Sequence, residues 1–339
     1  MRLTVKRIVM GILVLCLITA QTHALSILDY NVDGIGETDS EARQSLQRIV
    51  SHFNPDIIIF QEAKGIQYPE DFLACNPDYE GIYSSQDGAQ NRLMIMTKYP
   101  LIPSSVREYQ LGEGSLRPMF TLTVDLPGPH VLTIFTAHWN ASYAVVRGNE
   151  SATSVQVLRA FRTENPATLY LYAGDFNEPD SSPLITALLE NTGLVMFAPA
   201  DPVTCSIATI NSDPEKTTYL DRRIDYILPS TELAAFGIDG RILNTWEYTE
   251  GQMPPGLTKT DTVNASDHLP VYMHVRWRPI PGDVNFDCRV NILDLIFVRN
   301  RLNQDVATGD NWQADINGDT RINILDLIAV RNKLNTTCP

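Results

Sequence analysis

The chain has 339 residues, 44% hydrophobic and 19% charged, with 26 basic against 40 acidic side chains and a formal charge of −14. The imbalance sits in residues 25–278, which hold 17 basic and 32 acidic side chains, whereas residues 279–339 hold 6 and 8. An acidic body repels polyanions at long range, which argues against a tight, non-specific nucleic-acid binder. It leaves room for an enzyme that holds phosphates through a metal and a few local cations.

Arg2, Lys6 and Arg7 precede the apolar run Ile8–Ala20, and Thr22 and Ala24 place small residues at −3 and −1. This pattern predicts a secretory signal, residues 1–24, cleaved after Ala24. The run is too short to span a bilayer, so no stable membrane insertion is expected after cleavage. Leu15 before Cys16 argues against a lipid anchor. A secreted, extracellular protein can form disulfides. The remaining Cys75, Cys205, Cys288 and Cys338 admit three complete pairings. Domain layout favours Cys288–Cys338 within the tail, and Cys75–Cys205 would then join distant parts of the body.

Residues 25–278 suit one large domain with a sizeable core. Short apolar runs predict strands at Leu25–Asn31, Ile57–Gln61, Arg92–Met96, Met119–Val124, Val131–His138, Leu169–Ala173, Ile224–Leu228 and Leu269–Val275. Helices are expected at Ser40–Phe53, Ser151–Thr163 and Ser182–Asn191, with Pro55, Pro166 and Pro183 at their edges. Thr204–Asp221 and Glu247–Asn264 lack periodicity and read as loops. Arg278–Gly282 reads as a linker to a second domain, residues 279–339.

That second domain repeats a twelve-residue segment at a spacing of 32. Oxygen-bearing side chains stand at positions 1, 3, 5, 9 and 12: Asp283, Asn285, Asp287, Asn291 and Asp294, then Asp315, Asn317, Asp319, Asn323 and Asp326. Position 7, Arg289 or Arg321, offers its backbone carbonyl. Six to eight hard oxygens are what calcium requires, so two Ca²⁺ ions are expected. Position 6 is Cys288 or Thr320 where a glycine ordinarily makes the turn. Short amphipathic helices are expected at Leu295–Leu302 and Leu327–Leu334. No helix is expected before the first loop, because Pro279 and Pro281 stand there.

The duplicated loop-plus-helix unit, Asp at position 12 and the missing entering helix resemble a type I dockerin, a small all-α calcium-binding module. The resemblance implies docking to a cohesin-type protein through residues 279–339, and hence a complex-associated or cell-surface location. Partner recognition in that family falls largely on positions 10 and 11. Here these are Ile292 with Leu293 and Ile324 with Leu325, where small hydroxyl residues are usual.

In the body, polar residues follow or interrupt the apolar runs: Asn31, Gln61 with Glu62, His138, Asp175 with Asn177, Asp225, and Asp267 with His268. Buried carboxylates without partners are costly, so one shared polar site is expected at the strand ends. Glu62 and Asn31 are hard oxygen ligands suited to Mg²⁺ or Mn²⁺, and no thiolate or histidine-rich cluster suits zinc. Asp175 and Asn177 can aim at a water and a phosphate oxygen. His138 and His268 can donate protons, and Asp225 can hold a histidine tautomer. Paired histidines with a metal suit phosphoester hydrolysis better than glycoside hydrolysis.

The order of these residues resembles the endonuclease/exonuclease/phosphatase superfamily over residues 25 to about 278. The resemblance implies an α/β fold, a four-layer sandwich with two β-sheets face to face and helices outside. It implies metal binding by Glu62 with help from Asn31 and a place for Asp267 near the metal. It also implies water activation by Asp175, phosphate contact by Asn177, and transition-state stabilisation by His268 paired with Asp225. His138 resembles the second histidine of secreted nucleases and sphingomyelinases, and Arg117 their phosphate-contacting arginine. The expected function is a secreted phosphodiesterase acting on nucleic acid through a monomeric catalytic domain. The alternatives are a phosphatase on inositol or sugar phosphates, a sphingomyelinase-like phospholipase C, and an inactive binding module. The Thr204–Asp221 stretch lacks the tryptophan-rich loop of abasic-site nucleases. No exposed aromatic hairpin for membrane insertion is recognisable.

Overall fold

The computed structural model describes residues 25–34, 40–64, 67–85, 92–126, 130–166, 168–203, 205–210, 222–276, 280–285, 289–306, 308 and 311–337. The expected signal segment, Asp287 and the Cys288–Cys338 pair lie outside these residues. The described residues form two compact units, one over 25–280 and one over Pro281–Thr336.

The first half of the large unit holds strands Leu25–Asn31 (β1), Ile57–Ala63 (β2), Glu80–Tyr83 (β3), Arg92–Thr97 (β4), Leu101–Gln110 (β5), Pro118–Asp125 (β6) and Val131–His138 (β7). Leu169–Asp175 (β8), Asp225–Pro229 (β9), Ile238–Ile242 (β10) and Val271–Val275 (β11) complete the set. The helices are Ser40–Phe53 (α1), Gln67–Cys75 (α2), Ala144–Glu164 (α3), Pro183–Thr192 (α4), Thr231–Ala234 (α5) and Asp261–Ala265 (α6). One sheet runs β10-β11-β1-β2-β4-β3 and the other β5-β6-β7-β8-β9. Only β1–β2 and β7–β8 are parallel among the described pairings.

Period-2 alternation explains the layers. Ile27, Ile59 and Ile95 from one sheet and Leu122, Ile134, Leu171 and Ile227 from the other meet in a single buried cluster. The opposite faces carry Leu28, Tyr30, Ile58 and Phe60 under Leu46, Ile49 and Phe53 of α1. Phe135, Tyr170 and Tyr172 lie under Leu158 of α3 and Leu188 of α4. This is the four-layer α/β sandwich that the resemblance implied.

The strands without a recognisable apolar run, β3, β5 and β10, are all sheet edges. An edge strand buries little, and β5 is exposed or half-buried along its whole length. Helix α3 starts at Ala144 rather than Ser151, carrying Gly148 and Asn149 inside it. Within the loop expected at Glu247–Asn264, Glu250–Gln252 forms a short 3₁₀ turn and α6 begins at Asp261. Cys75 and Cys205 are unpaired and exposed, which overturns the pairing considered for them.

In the small unit, helices Ile292–Arg299 (α7) and Ile324–Arg331 (α8) begin three residues earlier than expected. Asn291 and Asn323 are their N-caps: each Oδ1 accepts from a backbone N–H two residues on, at 2.7 and 2.8 Å. Asp294 and Asp326 complete capping boxes at 2.7 and 2.8 Å. Their other oxygens accept from Val284 and Ile316, each at 2.8 Å. Position 12 of each loop therefore ties the loop's start to its helix. Asn335 N–H donates to Val290 O and Asn303 N–H to Ile322 O, each at 2.8 Å, which repeats the same closure in both halves. Thr320 takes φ +65° at position 6, so the left-handed turn residue is kept without glycine. A β-branched residue is disfavoured there. Thr320→Gly is expected to stabilise this unit by about 0.5–1 kcal/mol, read as a higher unfolding midpoint in saturating calcium.

Candidate active site

The same alternation that points Ile27, Ile134 and Leu171 inward points Asn31, His138 and Asp175 inward at the ends of β1, β7 and β8. Asp225 opens β9 directly opposite Asp175. Glu62 reaches the same place by a different route. The β2–β4 register shifts between Phe60 and Ala63, and Glu62 sits in that bulge at φ +58°. A bulge re-aims a side chain, and here it turns Glu62 toward the strand ends.

Asn31 Nδ2 donates to Glu62 Oε1 at 3.2 Å and to Asp175 Oδ2 at 3.1 Å. Its Oδ1 accepts from Asp33 N–H at 3.0 Å. His138 Nε2 lies 3.7 Å from Glu62 Oε1 and 3.5 Å from Asp175 Oδ2. Arg117 Nη1 donates to His138 Nδ1. An arginine cannot accept, so Nδ1 is the acceptor and Nε2 carries the ring proton. His268 Nδ1 faces Asp225 Oδ2 at 2.8 Å, and its Nε2 lies 3.7 Å from Asp175 Oδ2. Asp175 Oδ1 accepts from Asn177 N–H at 2.9 Å, and Asn177 Nδ2 donates to Trp139 O at 3.1 Å. Asn177 takes φ +50°, a conformation asparagine tolerates well. Asp267 is the outlying member: it is exposed, with Oδ1 3.8 Å from His268 Nε2.

Electrostatics separate the two histidines. Burial, then the Arg117 and His268 charges, push His138 well below its usual range, so it is neutral. Burial also disfavours the His268 imidazolium, but Asp225 and Asp175 outweigh it and hold its pKa up at about 10. Burial and the neighbouring Asp225 charge push Asp175 up to about 7. Asp175, Asp225 and His268 each present a donor atom within 4.8 Å of the others.

Several positioning groups carry no sequence pattern. Thr209 Oγ1 accepts from Ile224 N–H at 3.0 Å and Asp225 N–H at 3.1 Å, and Ile210 bridges His268. Thus part of the segment expected to be a loop braces the Asp225–His268 pair. Ser266 Oγ donates to Asn31 O at 2.7 Å and accepts from His268 N–H at 3.0 Å. Asp29, fully buried beneath Asn31, takes a 2.8 Å bond from Gln61 Nε2. Glu150, on the part of α3 that periodicity missed, accepts from Ser115 Oγ at 2.8 Å and Asn140 N–H at 2.7 Å.

Gly174 takes φ +140°, and a Cβ there would stand 2.0 Å from Ala137 O in the paired strand. Gly174→Ala is therefore expected to destabilise the large unit by on the order of 4 kcal/mol or more, seen as loss of soluble protein or a much lower urea midpoint.

Two face-to-face sheets with acids, amides and two histidines at the strand ends are the architecture of a phosphoester hydrolase. The family model described as Endonuclease/Exonuclease/phosphatase family matches residues 30–268, and the chain belongs to that family. The model for a Dockerin type I domain matches residues 281–335. The protein is thus a phosphoesterase of a divalent-metal-dependent family joined to a module of a calcium-binding, cohesin-docking class. Truncated TDP2 from Caenorhabditis elegans shares the fold at TM-score 0.57 and 15% identity, over 75% of this chain and 98% of that one. D. rerio TDP2 complexed with single strand DNA product matches at TM-score 0.55 and 17% identity, over 74% and 98%. A mannosyl-6-phosphatase from Bacteroides thetaiotaomicron matches at TM-score 0.52 and 17% identity, over 74% and 98%. No curated protein matches the chain. Among the described residues, no helix is long and apolar enough to cross a membrane.

Proposed function

We propose that this protein is a secreted, Mg²⁺- or Mn²⁺-dependent phosphodiesterase that cleaves nucleic acid by attack of water at phosphorus. The observation that carries this reading is two buried histidines of opposite charge state flanking Asp175, beside the Glu62–Asn31 pair. The residues fit a divalent cation. Asp175 is pushed up to about 7 by burial and by Asp225, which marks negative charge without full compensation. Glu62, re-aimed by its bulge, offers a hard carboxylate at the same point. Asp175, Asp225 and His268 make a weaker ligand trio, because His268 Nδ1 is committed to Asp225. When bound, the cation supplies charge neutralisation and polarisation of a phosphoryl oxygen.

The chain's own groups do the rest. Asp175 accepts a proton from the attacking water, held by Asn177 N–H on one oxygen and Asn31 on the other. The His268 imidazolium, fixed by Asp225, donates to the phosphoryl oxygen as negative charge develops. His138 presents Nε2–H to the same space, with Arg117 fixing its tautomer. The likeness to a TDP2 solved with a single-strand DNA product supports nucleic acid. The likeness to a mannosyl-6-phosphatase supports a second reading, a sugar-phosphate monoesterase.

For the remaining chain we propose a catalytic domain at 25–278 and a docking domain at 279–339. In the latter, the ten side chains from Asp283 to Asp326, with the Arg289 and Arg321 carbonyls, would hold two Ca²⁺. Ile292, Leu293, Ile324 and Leu325 are exposed on the helix starts, and a groove of about 390 Å³ runs between α7 and α8. An exposed apolar pair at each of two equivalent positions suits a cohesin-type partner better than core packing does.

Purified protein should be assayed on single-stranded DNA, plasmid DNA, RNA, bis-p-nitrophenyl phosphate, sphingomyelin and sugar or inositol phosphates, with Mg²⁺, Mn²⁺ or EDTA. Metal-dependent cleavage of DNA or RNA is the expected result. Turnover of monoesters alone would sink the diesterase assignment.

A further inference from the structure

Among the described residues of the catalytic unit, three large hydrophobic side chains stand furthest into solvent, Leu116 at 69%, Tyr143 at 67% and Val145 at 80% exposure, against 38% for Ile207. Singly, such exposure is ordinary; grouped, it marks a contact surface. The fold joins the two segments that carry them. The segment around Gly114 packs on the start of α3, where a Cβ on Gly114 would stand 3.0 Å from Val146 Cγ2. Asn149 Nδ2 donates to Glu113 O at 3.1 Å. Buried Glu150 binds Ser115 with one oxygen and Asn140 with the other. Asn140 Oδ1 in turn accepts from Tyr143 N–H at 2.7 Å and Ser142 N–H at 2.9 Å. The backbone beneath Leu116 and Tyr143 is thereby pinned while their side chains remain free.

The platform adjoins the chemistry. Leu116 is bonded to Arg117, whose guanidinium donates to His138, and consecutive Cα atoms are about 3.8 Å apart. Tyr143 lies a short segment beyond His138. Leu116 and Tyr143 are thus carried, along the chain, by the same two segments whose Arg117 and His138 meet at the site. An aromatic face with aliphatic neighbours, beside a cation, is the chemistry that stacks a nucleobase without reading its identity.

We propose that Leu116, Tyr143 and Val145 form a base-stacking platform that selects base-bearing strands at the scissile phosphodiester. This rests on the nuclease reading above. The test compares kcat/KM on a short single-stranded oligonucleotide and on its counterpart with abasic sugars, in Mg²⁺. The wild type should prefer the base-bearing strand by about tenfold, expressed in KM. Tyr143→Ala with Leu116→Ser should bring the ratio to about one, by loss on the base-bearing strand. Tyr143→Phe, which keeps the ring, should keep the preference. A preference that survives the double variant overturns the platform alone. A wild type that hydrolyses bis-p-nitrophenyl phosphate but no oligonucleotide overturns the nuclease reading and the platform with it. Loss confined to sphingomyelin vesicles, with the oligonucleotide ratio unmoved, assigns the surface to lipid and overturns the proposal.

Discussion

His268→Ala is expected to lower kcat/KM for a phosphodiester by about 10³-fold at saturating Mg²⁺. His268 is the imidazolium of the site, kept protonated against the cost of burial by Asp225 at 2.8 Å and by Asp175. Alanine removes a preorganised cationic donor and leaves Asp225 buried without its partner. Asp225→Asn should cost less, because the imidazole remains in place but loses its orienting charge. The loss should fall in kcat, as expected when an interaction made in the transition state is deleted. Glu62→Gln, which keeps size and removes charge, should abolish turnover at the same metal concentration. Intact turnover in either His268→Ala or Glu62→Gln would show that the chemistry is done elsewhere.

Removing calcium should unfold the small unit while the catalytic unit stays folded. Asp294 and Asp326 each accept three backbone N–H groups, tying a loop to the helix that follows it. In the second loop Asp315 accepts from the N–H groups of Gly318, Asp319 and Thr320 at 2.9–3.1 Å. The backbone therefore already fixes where these carboxylates stand, and calcium is expected to draw them onto one ion. A unit of this size buries too little apolar surface to fold strongly by itself. Calcium at a thousandfold excess over its Kd would add about 4 kcal/mol per site. Scanning calorimetry of the full chain should show two transitions, with EGTA moving only one. Asp326→Ala should reproduce much of that shift in the presence of calcium. Two transitions indifferent to both EGTA and Asp326→Ala would overturn the assignment.

Much of this architecture was legible from apolar runs. β1, β7 and α1 fall on their expected residues because each buries a continuous face, and burial writes the pattern. The edge strands β3, β5 and β10 were silent for the converse reason. The calcium helices were legible in kind but displaced. Their starts are set by Asn291 and Asn323 acting as caps, and an asparagine can ligand a cation through the same oxygen that caps a helix. Arg117 is the instructive case in the site. A lone arginine before a strand resembles any surface cation, yet β6 delivers it onto His138.

The sequence by itself determined which residue types exist for chemistry and in what order, and it determined the duplicated loops, because ligand spacing within twelve residues is a local property. Only the tertiary structure decided that Asn31 bonds Asp175 across 144 residues, that a bulge turns Glu62 inward, and that His138 is neutral while His268 is charged. Those facts depend on which strand ends meet and on how much water is excluded where they meet. Neither is encoded in any single stretch of chain; both arise when the two sheets close on each other.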